Sequence, residues 1–265
     1  MKPLTPVIQF DDVLPRQNSD IAICVIPAND IASRQLDITR SNILNYANSC
    51  GADYVELDGD LSQDWPMSNK YRLRQVVEKY EHTLYLDCDI VVKQGSPNVF
   101  DVFNKDKISF VDEFHILKNS YHYTLFKHFC YERFLILEDY PDFYKNNRAV
   151  QPNGGMMFFP KRLAEKYSQP KNPYYKTWCF DQDYLILNLD EDDFELVDWR
   201  YNLEFIDFGF WSKIEDAYFV HLNGCRPINY RLELLKRITQ GDYGYFPQPE
   251  VDHQESFRPL WKETC

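Results

Sequence analysis

The chain has 265 residues, 44 % of them hydrophobic and 16 % aromatic, which is long and apolar enough to bury a substantial core and argues against disorder for most of it. Its net charge of −12 makes nucleic acid and anionic membrane surfaces poor partners, although a nucleotide diphosphate stays possible where a bound cation supplies positive charge locally. The seven cysteines, odd in number and never at CxxC spacing, suit free thiols in a reducing compartment better than a disulfide framework or a zinc site. The first predicted element is Ile21 to Ala28, short, apolar and β-branched, as in a buried parallel strand. A helix follows from about Ser33 to Cys50, with Leu36, Ile43, Leu44 and Ala47 on one face and Gly51 as its C-terminal cap. Tyr54 to Leu57 reads as a second strand, so the chain opens as a right-handed strand, helix, strand crossover.

A second helix is expected from about Asn69 to Tyr80, with Leu73, Val76, Val77 and Tyr80 at helical spacing. Thr83 to Val92 is then a strongly apolar stretch around a pair of acids, and Ile108 to Val111 another strand. The segment Asn119 to Tyr140 is aromatic and partly helical in pattern. Asn153 to Pro160 reads as a turn into a strand, Asp181 to Leu189 as a helix with Asp181 near its N-cap, Ala217 to Leu222 as a last strand, and Ile228 to Thr239 as a last helix. No repeat or linker interrupts this order. The expectation is one α/β domain over 1–265. Residues 20–115 would form a nucleotide-binding half, 116–240 an acceptor and sugar half, and 241–265 a tail. No positively charged start precedes an apolar run, and nothing approaches the roughly 18 apolar residues that span a bilayer, so a cytoplasmic protein without an integral membrane segment is expected.

The acids carry the chemistry. Four Asp-x-Asp pairs occur, at Asp58/Asp60, Asp87/Asp89, Asp181/Asp183 and Asp190/Asp192, and an acidic chain makes such pairs by chance. Asp87 and Asp89 differ in placement, between Leu84-Tyr85-Leu86 and Ile90-Val91-Val92. Two carboxylates in an apolar run repel and lose hydration unless a cation or hydrogen bonds compensate. Alternate residues of an extended segment face the same way, so both could hold one Mn²⁺ or Mg²⁺. The competing reading is a pair of strand-end acids capping a turn. A haloacid-dehalogenase phosphatase would want Gly-Thr where this chain has Ile90-Val91.

YLDCDIVV, with Lys70 ahead of it, resembles the central motif of GT-A-fold glycosyltransferases, nearest the family 8 type of glycogenin and the lipooligosaccharide galactosyltransferases. Three further segments are similar and in the same order: NGGMMFF from Asn153, DQDYLILNL from Asp181 and HLNGCRP from His221. Gly154 stands where that family has Ala, Arg226 lies nearer His221 than the family's Lys, and Ile228 replaces an aromatic. The opening, with Arg34, Tyr46-Ala47 and Gly51-Ala52-Asp53, is more like family 34.

The resemblance implies a GT-A fold, with a Rossmann-like mixed sheet covered by helices on both faces. It implies a metal-dependent hexosyltransferase that moves a sugar from a nucleotide-sugar donor, UDP by family, to a glycan or other acceptor hydroxyl with retention of configuration. Asp87, Asp89 and His221 would hold the cation. Lys70, Gly224 and Arg226 would serve the diphosphate, and Asn153, Gly154 and Gly155 the donor sugar. Asp181, Gln182 and Asp183 would be the catalytic set, with Asp181 hydrogen-bonding sugar hydroxyls and Gln182 near the anomeric carbon, where a carboxylate could stabilise an oxocarbenium-like transition state or act as a base. Asn29 and Asp30, at the end of the first strand, could contact the nucleoside or simply begin a loop. By position and residue type alone, His221 is more often a hydrogen-bonded strand-end histidine, Lys70 and Arg226 are solvated charges as most are, Asn153 is equally a turn residue, and Asp181 a helix-start acid favoured without any function. Two other readings stay open: a nucleotidyltransferase, which would usually carry a Gly-rich loop not seen between Asp20 and Arg40, and a non-catalytic sugar-nucleotide or glycan-binding protein of the same fold.

Overall fold

Alternation along the strands decides the architecture. In β2 (Ile21–Val25), Ala22 and Cys24 point into one apolar layer and Ile23 and Val25 into another, and all four are fully buried. The same split recurs in β4 (His82–Leu86), where Tyr85 faces the first layer and Leu84 and Leu86 the second. It recurs again in β7 (Pro152–Pro160), with Met157 and Phe159 against Met156 and Phe158. A sheet buried on both faces needs a helical layer on each. Helix α1 (Asp30–Cys50) covers one face through Leu36, Ile43, Tyr46 and Ala47. Helices α2 (Leu73–Lys79) and α4 (Phe180–Asn188) cover the other through Leu73, Val76, Val77, Leu185 and Ile186.

The computed structural model describes residues 4–5, 14–57, 66–113, 150–169, 174–175, 180–207 and 209–247. The segment Asn119 to Tyr140, in the expected acceptor half, and the tail beyond 247 lie outside them. The central sheet has six strands in the order β3-β2-β4-β7-β6-β9, with β3 at Asp53–Glu56, β6 at Ile108–Asp112 and β9 at Phe194–Leu196. β7 runs antiparallel to both neighbours and the other pairings are parallel. A second sheet of three strands has the order β10-β11-β5, with β10 at Leu203–Glu204, β11 at Phe219–His221 and β5 at Ile90–Val92. A two-stranded pair joins β1 (Leu4–Thr5) to β8 (Tyr174–Tyr175). Helix α6 (Ile228–Thr239) packs on the small sheet through Leu232, Leu234, Leu235 and Ile238 and also meets α1. Short helices at Val99–Val102 (α3) and Phe210–Lys213 (α5) complete the described α-helices.

Several boundaries differ from the sequence reading. α1 begins at Asp30 rather than Ser33, because Asn29 caps it by accepting from the Ala32 N–H at 2.9 Å. Its end is as expected: Gly51 adopts φ 69°, and its N–H bonds the carbonyls of Ala47 and Asn48. The helix expected from Asn69 divides into a 3₁₀ segment, Pro66–Arg72, and α2. Asn153 to Gly155 form no turn: all nine residues of β7 are extended and buried. Asp181 sits within the first turn of α4, which starts at Phe180. The apolar run Thr83 to Val92 is not one strand but two, in different sheets.

Candidate active site

That break creates the site. β4 ends at Leu86, paired with Met156, and Asp87 still donates its N–H to the Gly155 carbonyl at 2.7 Å. A tight turn follows, with the Ile90 N–H bonded to the Asp87 carbonyl at 3.1 Å, and β5 leaves in the small sheet. The two acids therefore converge through a turn at the seam between sheets, not through the pleat of one strand as their spacing suggests. Helix α1 holds the turn from beneath. The Thr39 hydroxyl donates to the Cys88 carbonyl at 2.8 Å, and the Asn42 amide bonds both the carbonyl and the N–H of Val92 at 2.7 and 2.8 Å. The acids lie just past the carboxyl end of a parallel strand, where open α/β sheets bind ligands.

β11 brings the third group. His221 pairs with Ile90, and the Leu222 N–H bonds the Asp89 carbonyl at 3.1 Å. His221 Nε2 then lies 3.3 Å from Asp89 Oδ1 and 3.8 Å from Asp87 Oδ2. One ligand atom from each of Asp87, Asp89 and His221 lies within 4.8 Å of the others. Adjacent and opposite positions around an octahedral ion with oxygen ligands near 2.1 Å are about 3 Å and 4.2 Å apart. Two hard oxygens and an imidazole nitrogen at this spacing could hold a metal ion.

Each acid also has a fixed base. Lys70 Nζ is 3.0 Å from Asp87 Oδ1 and donates to the Gly154 carbonyl at 3.2 Å. The Tyr85 hydroxyl donates to Asp87 Oδ1 at 2.6 Å; burial, then the Asp87 charge, pushes its pKa well above the usual tyrosine range and keeps it a donor. Arg231 Nη1 donates to Asp89 Oδ2 at 3.2 Å. Burial works against ionisation of Asp89, but His221 and Arg231 outweigh it and bring its pKa down to about 2.

The two glycines have a local reason that sequence did not show. A Cβ on Gly155 would lie 2.2 Å from His221 Cε1, and one on Gly154 would lie 2.8 Å from Gln182 Oε1. They admit neighbouring side chains. Gln182 is fully engaged: its Oε1 accepts from the Gly154 N–H at 2.9 Å, and its Nε2 donates to the Pro152 carbonyl at 2.7 Å and to Glu113 at 3.3 Å. Asn153 Oδ1 accepts from the Gly155 N–H at 2.9 Å and from the Asn202 amide at 2.8 Å. Asp181 contrasts with both. It is buried, and among the described residues neither carboxylate oxygen has a hydrogen-bond partner. Burial raises its pKa and Lys70 opposes the rise. Buried acceptors left unpaired cost stability, so such a group is poised for donors from elsewhere.

Asp87, Asp89, His221, Lys70, Gly154 and Gly155 thus meet at one seam, with Asn153, Asp181 and Gln182 adjoining. Asn29 and Asp30 are exposed at the start of α1, Asn29 acting as its cap. Gly224, at φ 65°, turns the loop after β11 against Ile206, and Arg226 beyond it is half-buried. The Asp183 side chain lies outside the described part of the chain. Sequence reasoning missed Thr39, Asn42, Tyr85 and Arg231. Only Tyr85 carried a signal, being an alternate residue within YLDCD.

No protein-family profile matches the sequence, nor does any curated protein. Among solved structures, the chain is similar to a glycosyltransferase involved in the glycosylation of the major capsid of PBCV-1, with a TM-score of 0.54 and 16 % identity over 82 % of this chain and 98 % of that one. It is also similar to the bifunctional glycosyltransferase WbbM, with a TM-score of 0.56 and 12 % identity over 87 % of this chain and 53 % of that one. It therefore spans about half of the WbbM chain. At these identities the likeness establishes the fold, which is the GT-A-type α/β fold of these glycosyltransferases. Among the described residues no helix is long and apolar enough to cross a membrane.

Proposed function

We propose that this chain is a metal-dependent glycosyltransferase that moves a sugar from a nucleotide-sugar donor to an acceptor hydroxyl. The observation that carries the reading is the Asp87, Asp89 and His221 cluster at the carboxyl edge of a glycosyltransferase fold. A bound Mn²⁺ or Mg²⁺ supplies Lewis-acid neutralisation of the departing diphosphate. Asp87, Asp89 and His221 would hold it, and Lys70 adds a fixed positive charge beside them. Asp181 offers two buried acceptor oxygens, which match hydroxyl donors of a sugar ring. Gln182, next to it, holds the backbone of Gly154 and Pro152 through its amide. The order of the four motifs supports the family 8 type, and with it a UDP-sugar and retention of configuration.

The test is release of nucleotide from a panel of nucleotide sugars, with Mn²⁺ and with EDTA. Metal-dependent release from one donor supports the reading and identifies the sugar. Binding of a donor with no release in any condition would favour a non-catalytic binding protein. Absence of both would remove the donor reading altogether.

A further inference from the structure

Each carboxylate of the pair already has a fixed cationic partner: Asp87 is paired with Lys70 and Asp89 with Arg231. A divalent cation arriving alone meets two like charges a few ångströms from its own ligands, in partly buried surroundings where repulsion is poorly screened.

The two bases are not equivalent. Lys70 is nearly sealed, 8 % exposed, bound to the Gly154 carbonyl and set over the Tyr85 ring. Arg231 reaches the seam from α6. Its Nε donates to the Cys225 carbonyl at 2.8 Å and its Nη1 to Asp89, while its Nη2 has no bond among the described residues. The side chain is 17 % exposed. A guanidinium with one free arm beside a cation site matches the bidentate demands of a phosphate.

We propose that Arg231 is a counter-ion shared between Asp89 and the diphosphate of an incoming nucleotide, so that the site takes its divalent cation and the nucleotide together and each alone only weakly. The inference rests on the donor reading above. The sequence pointed to Arg226 for this charge, whereas the fold sets Arg231 on the acids. A diphosphate draws the guanidinium toward its own oxygens, which frees Asp89 Oδ2 for the cation and exchanges one counter-ion for another.

Calorimetric titration of Mn²⁺ alone, and of uridine diphosphate with and without Mn²⁺, tests this on the wild-type chain, Arg231→Gln and Arg231→Lys. Arg231→Gln is expected to bind Mn²⁺ alone about tenfold more tightly and the Mn²⁺–nucleotide pair about tenfold more weakly, which removes the coupling. Arg231→Lys keeps the charge without the fork. It is expected to leave binding of Mn²⁺ alone near wild type and to weaken nucleotide binding, and it carries the test if the Gln variant does not fold. A purely structural Arg231 would lower every affinity when replaced by Gln, and unchanged or weaker binding of Mn²⁺ alone overturns the inference while leaving the donor reading intact. No nucleotide binding by the wild-type chain at any Mn²⁺ concentration overturns the donor reading, and the shared counter-ion with it.

Discussion

Gly155 shows how closely the site is fitted. A methyl group there would overlap the His221 ring at 2.2 Å, and His221 is itself fixed by its pairing with Ile90. Gly155→Ala is expected to cost about 1–3 kcal/mol through overpacking. It should also lower Mn²⁺ affinity about tenfold by moving the imidazole. Denaturant unfolding and Mn²⁺ titration measure the two effects, and unchanged Mn²⁺ affinity in a folded variant would take His221 out of the ligand set. Tyr85 is a milder case, since its hydroxyl orients Asp87 without touching the cation. Tyr85→Phe should lose about 1 kcal/mol of stability or less. Its Mn²⁺ affinity should fall about tenfold. Asp87 and Asp89 were legible in the sequence because a pair of acids inside an apolar run demands compensation, and His221 only through the resemblance of the HLNGCRP segment. Arg231 was not, because a lone arginine on an amphipathic helix resembles any solvated charge until the fold shows what it meets.

At the scale of elements, α1 is both a structural layer and a support for the site. The apolar pattern suggested Leu36, Ile43, Leu44 and Ala47 as its buried face, but Leu44 is 38 % exposed while Thr39 and Gln35 are buried. The helix is oriented by polar demands as well: Thr39 and Asn42 satisfy backbone groups that the sheet-to-sheet turn leaves unpaired. Asn42→Ala strands the N–H and carbonyl of Val92 and should cost about 1–3 kcal/mol in thermal or denaturant unfolding. Near the middle of the same helix, Arg40 bonds Glu56 of β3 through two contacts of 2.9 Å. The guanidinium holds the Glu56 carboxyl below its usual range against the opposing effect of burial. Such a group adds stability above its unfolded pKa near 4.5, and that stability is lost as pH falls through the lower folded value. Glu56→Gln should therefore lose no more than about 1 kcal/mol at pH 7, because Arg40 is partly exposed. Its stability should also change less with pH below 4.5 than that of the wild-type chain.

For the whole molecule, ligand linkage gives the simplest readout. Mn²⁺ with uridine diphosphate, at about 100 times the dissociation constant, should add about 2.7 kcal/mol. In a chain of this size that raises Tm by about 5–10 °C, and EDTA should abolish the shift. The alternation of strands and helices, the apolar strands of the central sheet and the candidate metal acids were all determined by the sequence alone, since hydrophobic periodicity and charge placement are local. Tertiary structure decided the rest. It divided one apolar run between two sheets, set two glycines as clearances for His221 and Gln182, and left Asp181 without a partner among the described residues while engaging Gln182. It also brought Arg231 to Asp89 from 142 positions away. Those outcomes depend on which surfaces meet when the layers pack, and no single stretch of sequence carries both sides of such a contact.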